Sequence, residues 1–227
     1  MNIGLIVAAG RGYRIGGPLP KQYLHLAGQP ILRHTIAALT RHPGIQAVQV
    51  LIHPDDRALY DAATTGLEKL LPVRFGGKER QDSARLGLEA LAGLNPATVL
   101  IHDAVRPFIA LETISAVLAS LAHGCAAIVG VPLADTLKRV EGSMVTGTVS
   151  RAGLWRAQTP QGFRFEDILR AHQLALRTTP ETNFTDDAMI AEHAGLPVEM
   201  VMGSEDNFKI TTAADLARAQ VALTSQN

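Results

Sequence analysis

Continuous apolar runs of strand length alternate with stretches of helical period along this chain, and that alternation constrains the fold most. Residues 3–9, 48–52, 98–102 and 126–131 are apolar nearly throughout, with shorter runs at 72–75 and 198–201. Between them lie helical patterns. Leu32, Ile36 and Leu39 recur on one face after Pro30, and Leu86, Leu88 and Leu91 fall within 81–91. Ile114, Val117, Leu118 and Leu121 line one side of 111–121, and further helices are predicted over 55–59, 165–176, 186–194 and 213–223. A strand that is apolar on both faces belongs in a parallel sheet covered by helices on both sides. The expected fold is therefore α/β, a mostly parallel, doubly wound (Rossmann-like) sheet, with ligands at the carboxyl ends of the strands.

One segment breaks the rhythm. Residues 136–140 and 144–149 flank the turn Glu141-Gly142-Ser143 and read as a hairpin within a β-arm of about 136–158. It has little core of its own. Val140, Met144 and Val149 need a cover, which suggests a dimer arm; a hairpin folded back on its own domain is the alternative. The remainder reads as one domain over 1–227, with no repeats.

Charge limits the choice of partners. The 21 cationic and 21 acidic residues cancel, so nothing global draws the chain to nucleic acid or to an anionic membrane. An anion site must be local. Cys125, the one cysteine, excludes an internal disulfide and fits a reducing, cytoplasmic setting. In its apolar run it reads as a small buried hydrophobe. The first apolar run is short and lacks a basic leader, and no stretch reaches transmembrane length.

The local site begins where the first strand ends, at Val7-Ala8-Ala9-Gly10-Arg11-Gly12-Tyr13-Arg14-Ile15-Gly16-Gly17-Pro18-Leu19-Pro20-Lys21-Gln22. Ala8, Ala9 and Gly10 are small and let a ligand approach the backbone. Arg11, Arg14 and Lys21 add positive charge to free N–H groups, which suits a polyphosphate. The Walker string is absent. The dinucleotide fingerprint fails too, with Ile15 in place of its third glycine and Pro18 and Pro20 delaying the helix. A long triphosphate cradle and an ordinary basic surface loop both fit this segment alone.

Other strand-end residues add to it. Asp103 follows a buried strand and suits Mg²⁺ or a substrate hydroxyl, or a turn-stiffening pair with Arg106. His102 reads as a satisfied core histidine. In Gly76-Gly77-Lys78-Glu79-Arg80-Gln81-Asp82-Ser83 the glycines allow a flat base to lie on the main chain, and Ser83 can meet a pyrimidine edge. Helix capping by Asp82 or Ser83 is equally good physics. Gln158-Thr159-Pro160-Gln161 and Phe184-Thr185-Asp186-Asp187 read as polar loops. Lys209 stands before the closing helix, placed for phosphate contact. With no nucleophile elbow and no Cys/His cluster, cationic loops plus a carboxylate suit phosphoryl or nucleotidyl transfer.

These motifs together resemble one family. Ala8-Ala9-Gly10-x-Gly12-x-Arg14, Pro20-Lys21-Gln22, Gly76-Gly77-x-Glu79-Arg80-x-Asp82-Ser83, His102-Asp103-Ala104-x-Arg106-Pro107, Asp135-Thr136-x-Lys138, Gln158-Thr159-Pro160-Gln161, Thr185-Asp186-Asp187 and Asn207-x-Lys209-x-Thr211 match the 2-C-methyl-D-erythritol 4-phosphate cytidylyltransferases in order, from residue 3 to about 220. The resemblance implies CTP and methylerythritol 4-phosphate as substrates, Mg²⁺, and a homodimer joined through the β-arms, in isoprenoid biosynthesis. It puts Arg14 and Lys21 on the transition state and Ala8, Ala9, Gly10, Gly12, Gly77 and Ser83 around the nucleotide. Asp103 would serve metal or substrate hydroxyls. Arg151 from the partner subunit, with Lys209, Thr159, Thr185, Arg106 and Thr136, would hold the methylerythritol phosphate. Tyr13, Gly16-Gly17 and Val105 depart from the common pattern without removing any of these groups. Some relatives carry a fused cyclase; this chain stops soon after its closing helix, which implies the transferase alone. Ribitol 5-phosphate cytidylyltransferase and a non-catalytic nucleotide-binding module are the alternatives.

Overall fold

The computed structural model describes residues 1–12, 19–124 and 126–224. Arg14, assigned above to the transition state, and Cys125 lie outside them. The chain runs β1 (Asn2–Ala8), β2 (His25–Leu26), β3 (Gln29–Pro30), α1 (Ile31–Thr40), β4 (Ala47–Ile52), α2 (Arg57–Thr64), β5 (Arg74–Phe75) and α3 (Arg80–Leu91). It continues through β6 (Thr98–Asp103), α4 (Leu111–Ala122), β7 (Ala126–Pro132), β8 (Leu137–Glu141), β9 (Met144–Val149) and β10 (Trp155–Arg164). It closes with α5 (Phe165–Thr178), α6 (Asp187–His193), β11 (Val198–Met202) and α7 (Ala213–Thr224).

Seven strands form one sheet in the order β11-β7-β10-β6-β1-β4-β5. All pairings are parallel except those of β10, which runs antiparallel to both β6 and β7. The mostly parallel, doubly wound α/β expectation thus holds. The apolar runs are continuous because the central strands β1, β4 and β6 each feed two cores. Ile6, Ala8, Val48, Val50, Ile52 and Leu100 pack on one face under α1, α2 and α4. Ile3, Leu5, Leu51, Val99, Ile101 and Phe163 pack on the other under α3, α5 and α6. Side chains alternate across the pleat, so neighbours in sequence serve opposite cores.

Register places the site. Val7 pairs opposite Asp103, Ala8 opposite Ile52, and Ile52 opposite Phe75. The segments after β1, β6 and β5 therefore leave the sheet at one level. The hairpin β8–β9 forms as expected, as a separate two-stranded sheet. Its apolar side chains are largely uncovered, with Met144 71% and Val145 60% exposed.

One expectation fails. Gln158-Thr159-Pro160-Gln161 is no surface loop but the buried middle of β10. Gln158, Thr159 and Gln161 are each at most 6% exposed. The polar composition misled because these side chains are buried among hydrogen-bonding partners rather than solvent. Close packing at Gly162 on the same strand yields a test. A Cβ there would lie 2.4 Å from Val117 Cγ1 of α4. Gly162→Ala should therefore cost about 1–3 kcal/mol by overpacking, read as a lower urea midpoint. An unchanged midpoint would contradict the packing described.

Candidate active site

The site grows from the strand ends. After β1 the chain continues through Ala8, Ala9 and Gly10, and Gln22 ties this segment down by donating from Nε2 to Ala8 O at 2.7 Å and Gly10 O at 3.1 Å. Lys21 and Gln22 lie in the single turn Lys21–Tyr23. Gly12 takes a φ of +28°, and a Cβ there would sit 2.8 Å from Lys21 Cδ. The positive φ and the close Lys21 stem both favour glycine here. Opposite, β5 delivers Gly76 against the same wall. A Cβ on Gly76 would lie 2.4 Å from Ala9 Cβ and 2.5 Å from Ser83 Oγ. Ser83 Oγ accepts from Gly77 N at 3.1 Å, fixing the glycine pair. The capping alternative also holds for Asp82: it and Glu79 form a reciprocal box at the start of α3.

Between these walls is a cleft of about 280 Å³. It is lined by Ala8, Ala9, Gly10, Gly12, Lys21, Gly77, Ser83 and Asp103, all expected there, and by Arg80 and Lys209. A second cleft of about 250 Å³ is lined by Arg106, Thr159, Thr185 and Gln161. It shares Arg80, Asp103 and Lys209 with the first. A larger concavity near α5, bounded by Lys78, Arg85, His172 and Phe184, contains none of Lys21, Arg80, Asp103 and Lys209.

Asp103 is the hinge of the arrangement. Its Oδ2 lies 3.1 Å from Lys209 Nζ and 3.2 Å from Arg106 Nε, and its Oδ1 3.4 Å from Arg80 Nε. Burial alone would push its carboxyl up; Lys209, Arg80 and Arg106 outweigh that and hold it far below the usual carboxylate range. The Asp103–Arg106 pair suggested from the sequence is present. Arg106 is buried and also donates from Nη1 to Asn207 O at 2.7 Å, so this guanidinium is committed to the wall. Arg80 extends the network inward, donating from Nη1 to Asp187 Oδ2 at 2.7 Å. Burial works against the Arg80 charge, but Asp187 and Asp103 more than restore it. Asp187 is held in turn by Gln161 Oε1, which accepts from Asp187 N and Ala188 N.

Thr159 supports the site rather than standing free in it. Its hydroxyl accepts from Asp103 N at 3.0 Å and lies 2.9 Å from His102 Nδ1. With His102 Nε2 3.0 Å from Arg106 O, the consistent assignment is a neutral imidazole with its proton on Nε2. His102 is thus the satisfied core histidine expected. Thr185 is exposed at the rim of the second cleft. Thr136 and Arg151 line neither cleft, and Arg151 Nη1 donates to Ala134 O.

Arg80, Gln161 and Asn207 stand within the sequence motifs with no role of their own, and Asp187 carries no mark there as a buried anchor. The signal available was chemical: Asp187 and Arg80 each open a helix, where a charged side chain can reach either solvent or a strand end.

The fold and site define a class, an α/β protein shaped to hold a polyanion at the carboxyl ends of its strands. Comparison gives the family. The sequence pattern of IspD, 2-C-methyl-D-erythritol 4-phosphate cytidylyltransferase, matches residues 3–225, and the chain belongs to this family. It is 48% identical over 216 residues to the 2-C-methyl-D-erythritol 4-phosphate cytidylyltransferase of Cereibacter sphaeroides strain ATCC 17023, covering 95% of this chain and 94% of that one. It is 56% identical over 219 residues to the bifunctional enzyme IspD/IspF of Paramagnetospirillum magneticum, covering 96% of this chain and 56% of the relative. The chain thus spans little more than half of such bifunctional relatives. Among solved structures, the Francisella tularensis 2-C-methyl-D-erythritol 4-phosphate cytidylyltransferase superposes with a TM-score of 0.82 at 29% identity, covering 97% and 98% of the two chains.

The His102 environment yields a pH test. Burial pushes the imidazole down to about 4, against about 6.5 in an unfolded chain. Between these values the unfolded state binds the extra proton, so stability is intact above about pH 6.5 and falls as pH drops toward 4. His102 should account for about 3 kcal/mol of that loss. Urea unfolding across this range should show it, and His102→Gln should lack it; the same slope in both proteins would contradict the assignment.

Proposed function

We propose that this chain transfers the cytidylyl group of CTP to 2-C-methyl-D-erythritol 4-phosphate, giving 4-diphosphocytidyl-2-C-methyl-D-erythritol and pyrophosphate. The observation that carries the reading is that two clefts meet on one charged wall, Arg80, Asp103 and Lys209. One cleft takes the nucleotide, with the base on the Gly76-Gly77 backbone beside Ser83 and the triphosphate along residues 8–12 and Lys21. The other takes the polyol phosphate, with Lys209 at the junction and Thr185 at the rim. A phosphate oxygen of the polyol attacks the α-phosphorus, and the bond to the β-phosphate oxygen breaks. The nucleophile is already anionic, so no general base is needed. The barrier lies in bringing two anions together, and fixed cations with positioning lower it.

Magnesium fits this site in one way. Asp103 is a single carboxylate with three N–H donors around it, and no group of three or more acidic, His or Cys side chains is placed for a metal among the described residues. That donor set suits an ion held chiefly by triphosphate oxygens, with a free lone pair of Asp103 beside it. Such an ion would neutralise phosphate charge.

We further infer a homodimer joined through the β-arm. Its uncovered Val140, Met144 and Val145 need a partner, and Arg151 and Thr136, absent from both clefts, would serve the partner's site. The chain is read as one domain. The single cysteine supports a cytoplasmic location, and no described helix is long and apolar enough to cross a membrane.

Pyrophosphate release with CTP should require methylerythritol phosphate and be far slower with ribitol 5-phosphate. Lys21→Ala should lower kcat by about a hundredfold, the effect of losing one preorganised charge contact. Near-normal turnover in that variant would reject the reading.

A further inference from the structure

Arg11 lies on the loop that would face the triphosphate, yet it points elsewhere. Its neighbours Gly10 and Gly12 line the nucleotide cleft; Arg11 does not. The guanidinium reaches the turn Pro54–Asp56 that follows β4. Nη2 donates to Asp55 Oδ2 and lies 2.8 Å from His53 Nδ1, and Nη1 lies 3.4 Å from Asp56 Oδ1. Asp56 is 1% exposed, and its Oδ2 has no hydrogen-bond partner. Burial pushes its carboxyl up, and Arg11 opposes that shift. A buried carboxylate so poorly supplied with donors depends on the cation it has.

The consequence runs back to the cleft. Gly12 is the next residue, and the Lys21 stem packs directly over it. Gln22 ties the far end of the loop to Ala8 and Gly10. Arg11 therefore supplies a second, sideways tie at the near end. We propose that Arg11 is a positioning residue: paired with Asp55 and Asp56, it moors the start of the phosphate loop to the turn after β4 and so fixes Gly12 and Lys21. It acts through Lys21 and does not itself touch the nucleotide. This inference rests on the cytidylyl-transfer reading. The rival role is a phosphate ligand that the two carboxylates hold away from the nucleotide.

The two roles separate in a mutant cycle on the full chain. Pyrophosphate release by the unmodified protein is measured first, so failure of the functional reading is seen before any variant is interpreted. Arg11→Met and Asp56→Asn should then each lower kcat/KM for CTP by about tenfold, and the double variant should be no worse than either alone. Asp55→Asn, at a side chain 71% exposed, should cost about threefold without lowering the melting temperature, and supplies an arm that does not challenge folding. KM for the polyol phosphate should stay unchanged in all of them, which a general structural lesion would not allow. Additive losses, or no loss in Arg11→Met, would overturn the mooring. So would tighter use of CTP by Asp55→Asn and Asp56→Asn, which is the behaviour of a cation released to the phosphates.

Discussion

A buried carboxylate ringed by three cations holds this structure's working end together. Asp103 is 6% exposed and pairs with Arg80, Arg106 and Lys209, which arrive from α3, the turn after β6 and the segment before α7. No one of these elements could present its charge there alone. A lone buried carboxylate would be protonated, and a lone buried guanidinium would be expelled. Together they form a fixed wall, and leaving one buried member without its partner would cost about 3–5 kcal/mol. Three of its members, Arg80, Asp103 and Lys209, line both clefts. With two negative charges, Asp103 and Asp187, against three positive, the wall has one positive charge left for ligands.

The second tier explains why the wall is rigid. Gln161 holds the backbone of Asp187, Asp187 holds Arg80, and Arg80 holds Asp103. Thr159 holds both Asp103 N and His102, and Asn207 Nδ2 donates to Thr159 O at 2.8 Å while Asn207 O accepts from Arg106. Gln161 and Thr159 lie on β10, and Asp103, His102, Asp187 and Asn207 bond to them directly. The strand that runs against the direction of its neighbours is thus the one that carries the polar support. Preorganised charge is worth most when nothing must move as the ligand's charge develops.

Much of this was legible in the sequence. Apolar runs at 3–9, 48–52, 98–102 and 126–131 marked the sheet, and Leu32, Ile36, Leu39, Ile114 and Val117 lie buried as their spacing required. The small residues 8–10 and 12, Gly77, Ser83, Asp103 and Lys209 come together as expected. What periodicity could not show was β10. Gln158, Thr159 and Gln161 read as surface because solvent is the default partner of polar side chains, and only tertiary structure reveals that their partners are protein atoms. Arg11 misled in the opposite sense. Charge and position aimed it at phosphate, but Asp55 and Asp56, more than forty residues on, claim it. Pairings between distant segments leave no local pattern to read.

The most direct test is a crystal structure of the chain with an unreactive CTP analogue and methylerythritol phosphate bound together. The triphosphate should lie along residues 8–12 with Lys21 on it, the polyol phosphate should occupy the cleft of Thr159 and Thr185, and Lys209 should stand between the two. Ligands bound away from the Arg80–Asp103–Lys209 wall, or on opposite sides of it with no path between their phosphorus and oxygen atoms, would contradict the account.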